Sequence, residues 1–259
     1  MSGDEVLQQI DYPGLFELSG QSLPDNRVGV LERLSLEKVI VPTASSLFNV
    51  TNLGALLFAK KLSDFRSLSW KAFRVLEYAG QNRVKRIKEQ LSDRGYAVGF
   101  ASLIEYINER LPMNEVIGQA LRQNVHMYPE LAVRELLANA IVHQDLTVTG
   151  DGPMVEIFSD RIEFTNPGDP LIDPLRFLGA PPRSRNEAVA ALMRRLRICE
   201  EGGSGIDKVV FEIEYYQLPA PDFQNRFNHT KVVLFAHRKL NQMSTGRQAA
   251  TTKGHAVVE

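Results

Sequence analysis

The sequence predicts an α/β (α+β) fold: a two-layer sandwich with helices on one face of a mixed, mostly antiparallel sheet, preceded by a smaller α/β segment. Three observations carry this expectation. Residues 128–145, YPELAVRELLANAIVHQD, place Leu131, Leu136, Leu137, Ala140 and Ile141 on a helical period. The pattern then switches to period two in MVEIF (154–158) and RIEFTN (161–166), which flank the two-residue turn Ser159-Asp160 and so predict a hairpin. Residues 231–236, KVVLFA, read as a final core strand.

The remaining elements follow in order. Residues 1–50 read as a linker with short helices, broken by Gly14, Gly20, Pro24 and Asn26, with Val28 to Leu36 as one helix. Thr51-Asn52 can cap a helix through NLGALLFAKKL, whose Lys60 and Lys61 suit the negative end. KAFRVLEYA (71–79) alternates as a strand, with Phe73, Val75 and Tyr78 on one face and Arg74 and Glu77 away from it. NRVKRIKEQLSDR (82–94) sets Arg83, Lys85, Arg86, Lys88 and Arg94 against Glu89 and Asp93; it reads either as the solvated face of a helix or hairpin or as a phosphate-backbone patch. Residues 99–111 form an amphipathic helix with Phe100, Leu103, Ile104, Ile107 and Leu111 inward. Residues 170–186 hold four of the chain's 13 prolines and read as a long loop. Glu187 to Leu196 is a helix, and a second begins near Ile206 after the glycines at 202, 203 and 205. The tail from 241 is polar and small and is expected to be disordered.

Bulk properties exclude several classes. A chain of 259 residues can form one large domain or two small ones. A net charge of −1 gives no global field toward nucleic acid. The single cysteine, Cys199, rules out a disulfide framework and fits a cytoplasmic location; it reads as a buried small residue rather than a nucleophile. The N-terminus MSGDEVLQQI is acidic, not a signal peptide, and no apolar run reaches 18 residues, so no membrane partner is expected.

Three features line up as a candidate site. Glu135, Asn139 and His143 recur at i, i+4 and i+8 and form one polar stripe on a core helix. Buried polar groups of this kind need partners, either from neighbouring loops or from a ligand. Asn166-Pro167-Gly168 ends the hairpin, and Gly202-Gly203-Ser204-Gly205-Ile206 opens a helix, where exposed backbone N–H groups favour phosphate. His143, near a helix end, is either a capping or packing residue or a ligand contact.

In this order the features resemble the Bergerat ATP-binding fold of gyrase, heat-shock chaperones, histidine kinases and MutL, whose motifs are E-x-x-x-N on a helix, D-x-G after a strand and G-x-G before a helix. A narrower pattern, R-E-x-x-x-N-A-x-x-H, D-R-I-E-x-x-N-P-G, R-N and E-x-G-S-G-I, is matched by Arg134 to His143, Asp160 to Gly168, Arg185-Asn186 and Glu200 to Ile206. It is similar to the C-terminal ATP-binding domain of RecG-related, Schlafen-AlbA-type transcriptional regulators of bacteria and archaea. The motifs span about 128–206 and the looser similarity about 50–240.

The resemblance implies Mg²⁺-ATP as ligand. Asn139 would ligate the Mg²⁺, and Glu135 would orient or deprotonate the attacking water. Gly203 and Gly205 would admit the phosphates to backbone N–H groups, Ser204 would add a hydroxyl, and Gly168 would let the chain pass close to adenine. Arg183 and Arg185 are lid candidates for the γ-phosphate, and His143 belongs to the narrower pattern without a derived role. Two positions depart from the superfamily: Asn166 stands where an Asp accepts the adenine amino hydrogen bond, and Pro170 stands near a usual second glycine. No G-x-x-x-x-G-K-[ST] loop exists, so helicase motor activity is not expected.

The expected division is a linker over 1–50, a small α/β segment over 51–125, an ATP-binding domain over 126–240 and a tail over 241–259. Longer relatives carry an AlbA-like domain and often a winged helix, so this chain is expected to be a fragment, a truncated product or a natural short form, with DNA contact mainly through domains outside it and homo-oligomerisation open. Two functional readings stand: an ATP-binding module of a regulator with slow hydrolysis, or a non-catalytic nucleic-acid-binding or protein-interaction module with a degenerate nucleotide pocket.

Overall fold

A computed structural model of the protein describes residues 1–117, 122–179, 181, 183–199 and 204–237. The tail, Glu200, Gly202 and Gly203 lie outside these residues.

The first helices, α1 (Gly3–Gln9), α2 (Tyr12–Ser19) and α3 (Arg27–Leu36), begin at side-chain caps from Ser2, Asp11 and Asn26. Ser2 and Glu5 form a reciprocal capping box. Val6, Ile10, Phe16, Val30 and Leu34 of this stretch enter the same apolar core as the later helices and strands. A short antiparallel pair, β1 (Ile40–Pro42) and β2 (Phe48–Val50), leads to α4 (Asn52–Phe58), capped by Thr51 as expected and buried over its last five residues.

Next come β3 (Phe73–Tyr78), β4 (Arg86–Ser92) and α5 (Tyr96–Asn108). A second antiparallel pair, β5 (Met113–Ile117) and β6 (Arg122–His126), was not anticipated from the sequence. Then follow α6 (Glu130–His143), β7 (Met154–Ile157), β8 (Arg161–Pro167), α7 (Glu187–Arg195), α8 (Gly205–Tyr215), β9 (Asp222–Arg226) and β10 (His229–Phe235). The described residues of 170–186 are irregular apart from one 3-10 turn, Pro174–Arg176.

The main sheet has the order β4-β3-β7-β8-β10-β9. Only the β3–β7 pair is parallel; the other four are antiparallel, so the sheet is mixed and mostly antiparallel as expected. Side chains alternate between its two faces. Phe164 and Asn166 of β8 face α6, whereas Glu163 and Thr165 face the other way. Phe73 and Val75 join the main core, but Tyr78 does not share their face as expected. It lies an odd number of residues from both, and it stacks on Phe158 at 4.8 Å beside Leu76 on the opposite face.

That opposite face carries charge. Glu156 and Glu163 are direct cross-strand partners and both are buried. Two carboxylates so placed repel unless cations intervene. Arg83 supplies the bridge, donating from Nε and Nη2 to Glu156 at 2.6 and 2.7 Å and from Nη2 to Glu163 at 2.8 Å. Arg161 and Lys231 complete the set on Glu163, at 2.6 and 2.5 Å.

Candidate functional site

Helix α6 is buried on nearly all sides through Ala132, Val133, Leu136, Leu137, Ala140 and Ile141. The Glu135–Asn139–His143 stripe is the exception in chemistry. It opens into a cavity of about 920 Å³, within the range of small-molecule sites. The Asn139 and His143 side chains make no hydrogen bond among the described residues. Burial and the neighbouring Arg185 guanidinium hold the His143 imidazole below its ordinary range, which keeps it neutral at pH 7.

The start of α8 closes one end of this cavity. A Cβ on Gly205 would stand 2.8 Å from Glu135 Oε2 and 3.8 Å from Asn139 Nδ2. A larger residue there would have to push the end of the Glu135 side chain aside. Ser204 is the N-cap residue of α8 and its side chain makes no cap hydrogen bond. Gly205 lines the cavity.

The sheet forms the floor. Phe164 and Asn166 of β8 pair with Val232 and Thr230 of β10, and all four line the cavity. Asn166 is 5% exposed, and its Nδ2 donates to the Pro167 carbonyl at 3.3 Å. Gly168 has φ +104, and a Cβ there would meet Asp145 Cβ at 2.8 Å. It therefore packs on the chain just beyond α6, whose Asp145 N–H donates to the Pro167 carbonyl at 2.7 Å.

The 170–186 loop forms the third wall. Arg183 and Ser184 line the cavity; Arg183 has no ion-pair partner among the described residues, and Ser184 Oγ is buried without a hydrogen bond. Arg185 also lines it but is engaged: Nε donates to the His143 carbonyl at 3.1 Å, and Nη2 donates to the Asp169 carbonyl. Asn186 Nδ2 donates to the carbonyls of Val142 at 2.9 Å and Gln144 at 2.7 Å. The Arg185-Asn186 pair thus satisfies carbonyls that the end of α6 would otherwise leave unpaired. Arg134, at the other end of the motif helix, donates to the Arg197 and Ile198 carbonyls at 2.8 and 3.0 Å and ties α6 to the chain after α7.

The structure therefore brings Glu135, Asn139, His143, Asn166, Arg183, Arg185 and Gly205 to one cavity. Gly168 and Ser204 adjoin it without lining it. Cys199 lines it too, half-buried, with burial foremost and Glu135 next pushing its thiol up to about 12.

Lys71 was missed by sequence reasoning. Its Nζ is buried and donates to the carbonyls of Asp145 at 3.2 Å, Val148 at 2.6 Å and Asp151 at 3.1 Å, fixing the loop that follows α6. Nothing in the local sequence separates it from a surface lysine in a turn. Of the basic run over 82–94, Arg83 serves the two glutamates, Arg86 pairs with Glu89, Arg94 pairs with Asp11, and Lys88 lies over the Tyr106 ring.

A divalent cation fits this site only together with a ligand. Among the described residues no group of three or more His, Cys, Asp or Glu could hold a metal. An amide oxygen such as that of Asn139 is a suitable hard ligand for Mg²⁺, whose remaining positions are filled by water and substrate phosphate oxygens. Among the described residues no helix is long and apolar enough to cross a membrane.

Residues 150–234 match the family model described as "Putative ATP-dependent DNA helicase recG C-terminal", so this third of the chain is similar to a RecG C-terminal-like, ATPase-type domain. The match begins after α6 and covers the hairpin, the loop, α8 and β10. No curated protein matches the chain significantly. Among solved structures, three chains match. One is the DIP2311 protein from Corynebacterium diphtheriae, with a TM-score of 0.63 and 20% identity over 76% of this chain. This chain spans 39% of that protein's length, and the likeness is one of fold.

Proposed function

We infer that the protein is an ATP-binding module of a RecG-related, Schlafen-AlbA-type transcriptional regulator, with a Bergerat-type site for Mg²⁺-ATP and slow hydrolysis at most. The observation that carries this reading is the approach of Gly205, at the start of α8, to Glu135 and Asn139 inside a nucleotide-sized cavity. A helix start concentrates partial positive charge and unpaired N–H groups, which suits a polyphosphate. The match of residues 150–234 to an ATPase-type domain supports the same chemistry.

In this reading Asn139 would hold the Mg²⁺, which neutralises phosphate charge when bound. Glu135 orients a water and accepts its proton. Arg183 faces the phosphates, and Ser184 Oγ gains the partner it lacks. The 170–186 loop then closes over the nucleotide and shifts attached domains or a partner subunit, through which DNA is contacted.

Titration calorimetry with Mg²⁺-ATP tests the site. Wild type should release or absorb measurable heat, and Asn139→Ala should bind at least tenfold more weakly, about 1.4 kcal/mol. Silence from wild type sinks the reading. A phosphate-release assay then separates binder from ATPase: a rate unchanged in Glu135→Ala removes Glu135 from catalysis.

A further inference from the structure

We propose that the cavity reads position 6 of a purine through the Asn166 amide, and so takes 6-oxopurine nucleotides as well as adenine nucleotides. This rests on the nucleotide-binding reading above and adds the base to it.

The cavity has two chemically different ends along α6. At one, Gly205 and the α8 start stand against Glu135 and Asn139. At the other, the end of β8 is pinned beside the last turn of α6, through Asp145 N–H to the Pro167 carbonyl and through Gly168 against Asp145. From Glu135 to His143 the helix rises about 12 Å, enough to separate a base from its terminal phosphate. The helix start favours the anionic part, which leaves the β8 end to the heterocycle.

The floor at that end suits a flat ring. Phe164 and Val232 are cross-strand neighbours and apolar, and the next pair along is Asn166 with Thr230. Thr230 Oγ1 already donates to the Gly168 carbonyl at 2.9 Å. Asn166 is therefore the buried polar side chain with capacity to spare. Its Nδ2 has one long contact, 3.3 Å to the adjacent carbonyl, and little else fixes which way the amide faces. The wall's carboxylate, Asp169, is three residues further along and exposed.

An amide offers an acceptor on one side and a donor on the other, whereas a carboxylate only accepts. A 6-amino group needs an acceptor and a 6-oxo group needs a donor. A carboxylate at this position would favour the amino purine and leave the oxo purine with two opposed acceptors. The amide meets either by turning over: it accepts from an amino group with its Pro167 contact kept, and it donates to an oxo group by giving up that long contact and turning Oδ1 toward the Pro167 carbonyl.

ATP and ITP isolate this chemistry, because they differ at position 6 and in the N1 proton that accompanies it. Calorimetric titration of each, with Mg²⁺, into wild type, Asn166→Asp and Asn166→Leu provides the test, with melting curves confirming that the variants fold. Wild type should bind the two within tenfold of each other. Asn166→Asp should raise the ATP preference by tenfold or more, and Asn166→Leu should weaken both alike. A wild-type preference for ATP above tenfold, or a ratio unchanged in Asn166→Asp, overturns the proposal while leaving the nucleotide site in place. Binding of neither nucleotide by wild type removes that site and this inference with it.

Discussion

Replacing Arg83 with methionine removes the bridge between two buried carboxylates while keeping most of the apolar stem. Three charge-assisted hydrogen bonds go, at 2.6, 2.7 and 2.8 Å. Glu163 keeps Arg161 and Lys231, but among the described residues Glu156 keeps only the Tyr78 hydroxyl, at 3.2 Å. Breaking a fully buried pair costs about 3–5 kcal/mol. Arg83 is 52% exposed, so water enters when it leaves, and about 2–3 kcal/mol is the better figure after that discount. The loss has a ceiling that depends on pH. A carboxylate escapes an unfavourable site by taking a proton, which from an ordinary value near 4.3 costs about 4 kcal/mol at pH 7 and about 1 kcal/mol at pH 5. Urea unfolding should therefore show Arg83→Met losing about 2–3 kcal/mol at pH 7 and about 1 kcal/mol at pH 5. Adding Glu156→Gln should recover part of the neutral-pH loss. A loss under about 0.5 kcal/mol at pH 7, the range of an ordinary surface substitution, would refute the argument, as would a loss equal at both pH values.

Other expectations follow from single contacts. Burial alone would raise the Glu163 carboxyl, but the Lys231 and Arg161 hydrogen bonds overcome it and hold the group below its usual range. Its folded value is depressed, so its stabilisation is present at neutral pH and is lost as pH falls below about 4.3; Glu163→Gln should flatten the acid limb of a stability–pH curve, and an identical limb would count against this. Asn186→Ala leaves the Val142 and Gln144 carbonyls unpaired and should cost about 1–3 kcal/mol in a thermal melt, while a neutral result would deny it the capping role. Lys71→Met should cost about 2–4 kcal/mol and raise hydrogen exchange over residues 145–151, because three carbonyls lose one donor. With its thiol pushed up to about 12, Cys199 should react with a small disulfide reagent at pH 8 far more slowly than an ordinary cysteine, by on the order of 10³-fold, and since it is the only cysteine the absorbance trace reports it alone.

Elements whose signal is local were legible in the sequence. The α6 period, the Ser159-Asp160 hairpin turn, the Thr51 cap and the strands over 73–78 and 229–235 all depend on residues within a few positions of one another. The missed strands have weak local signals. Asp222–Arg226 is a polar edge strand with little alternation, and Ile40–Pro42 and Phe48–Val50 are three residues each. Tyr78 lies on the face opposite Phe73 and Val75, as its odd register step from both requires.

The site divides the same way. The sequence by itself determined that Glu135, Asn139 and His143 share one side of α6, because spacing on a helix fixes direction. It also placed the start of a later helix beside Gly205 and Ile206. What stands opposite the stripe was decided by tertiary structure alone. Gly205 meets Glu135 across 70 residues of chain, Asn166 reaches the floor through β8–β10 pairing, and Arg185 and Asn186 cap α6 from a loop more than 40 residues away. Such contacts depend on which strands pair and where each loop returns, and those are set by packing the whole core rather than by any local pattern. Helical spacing made the stripe polar on one side, and the surrounding chain made that side a cavity.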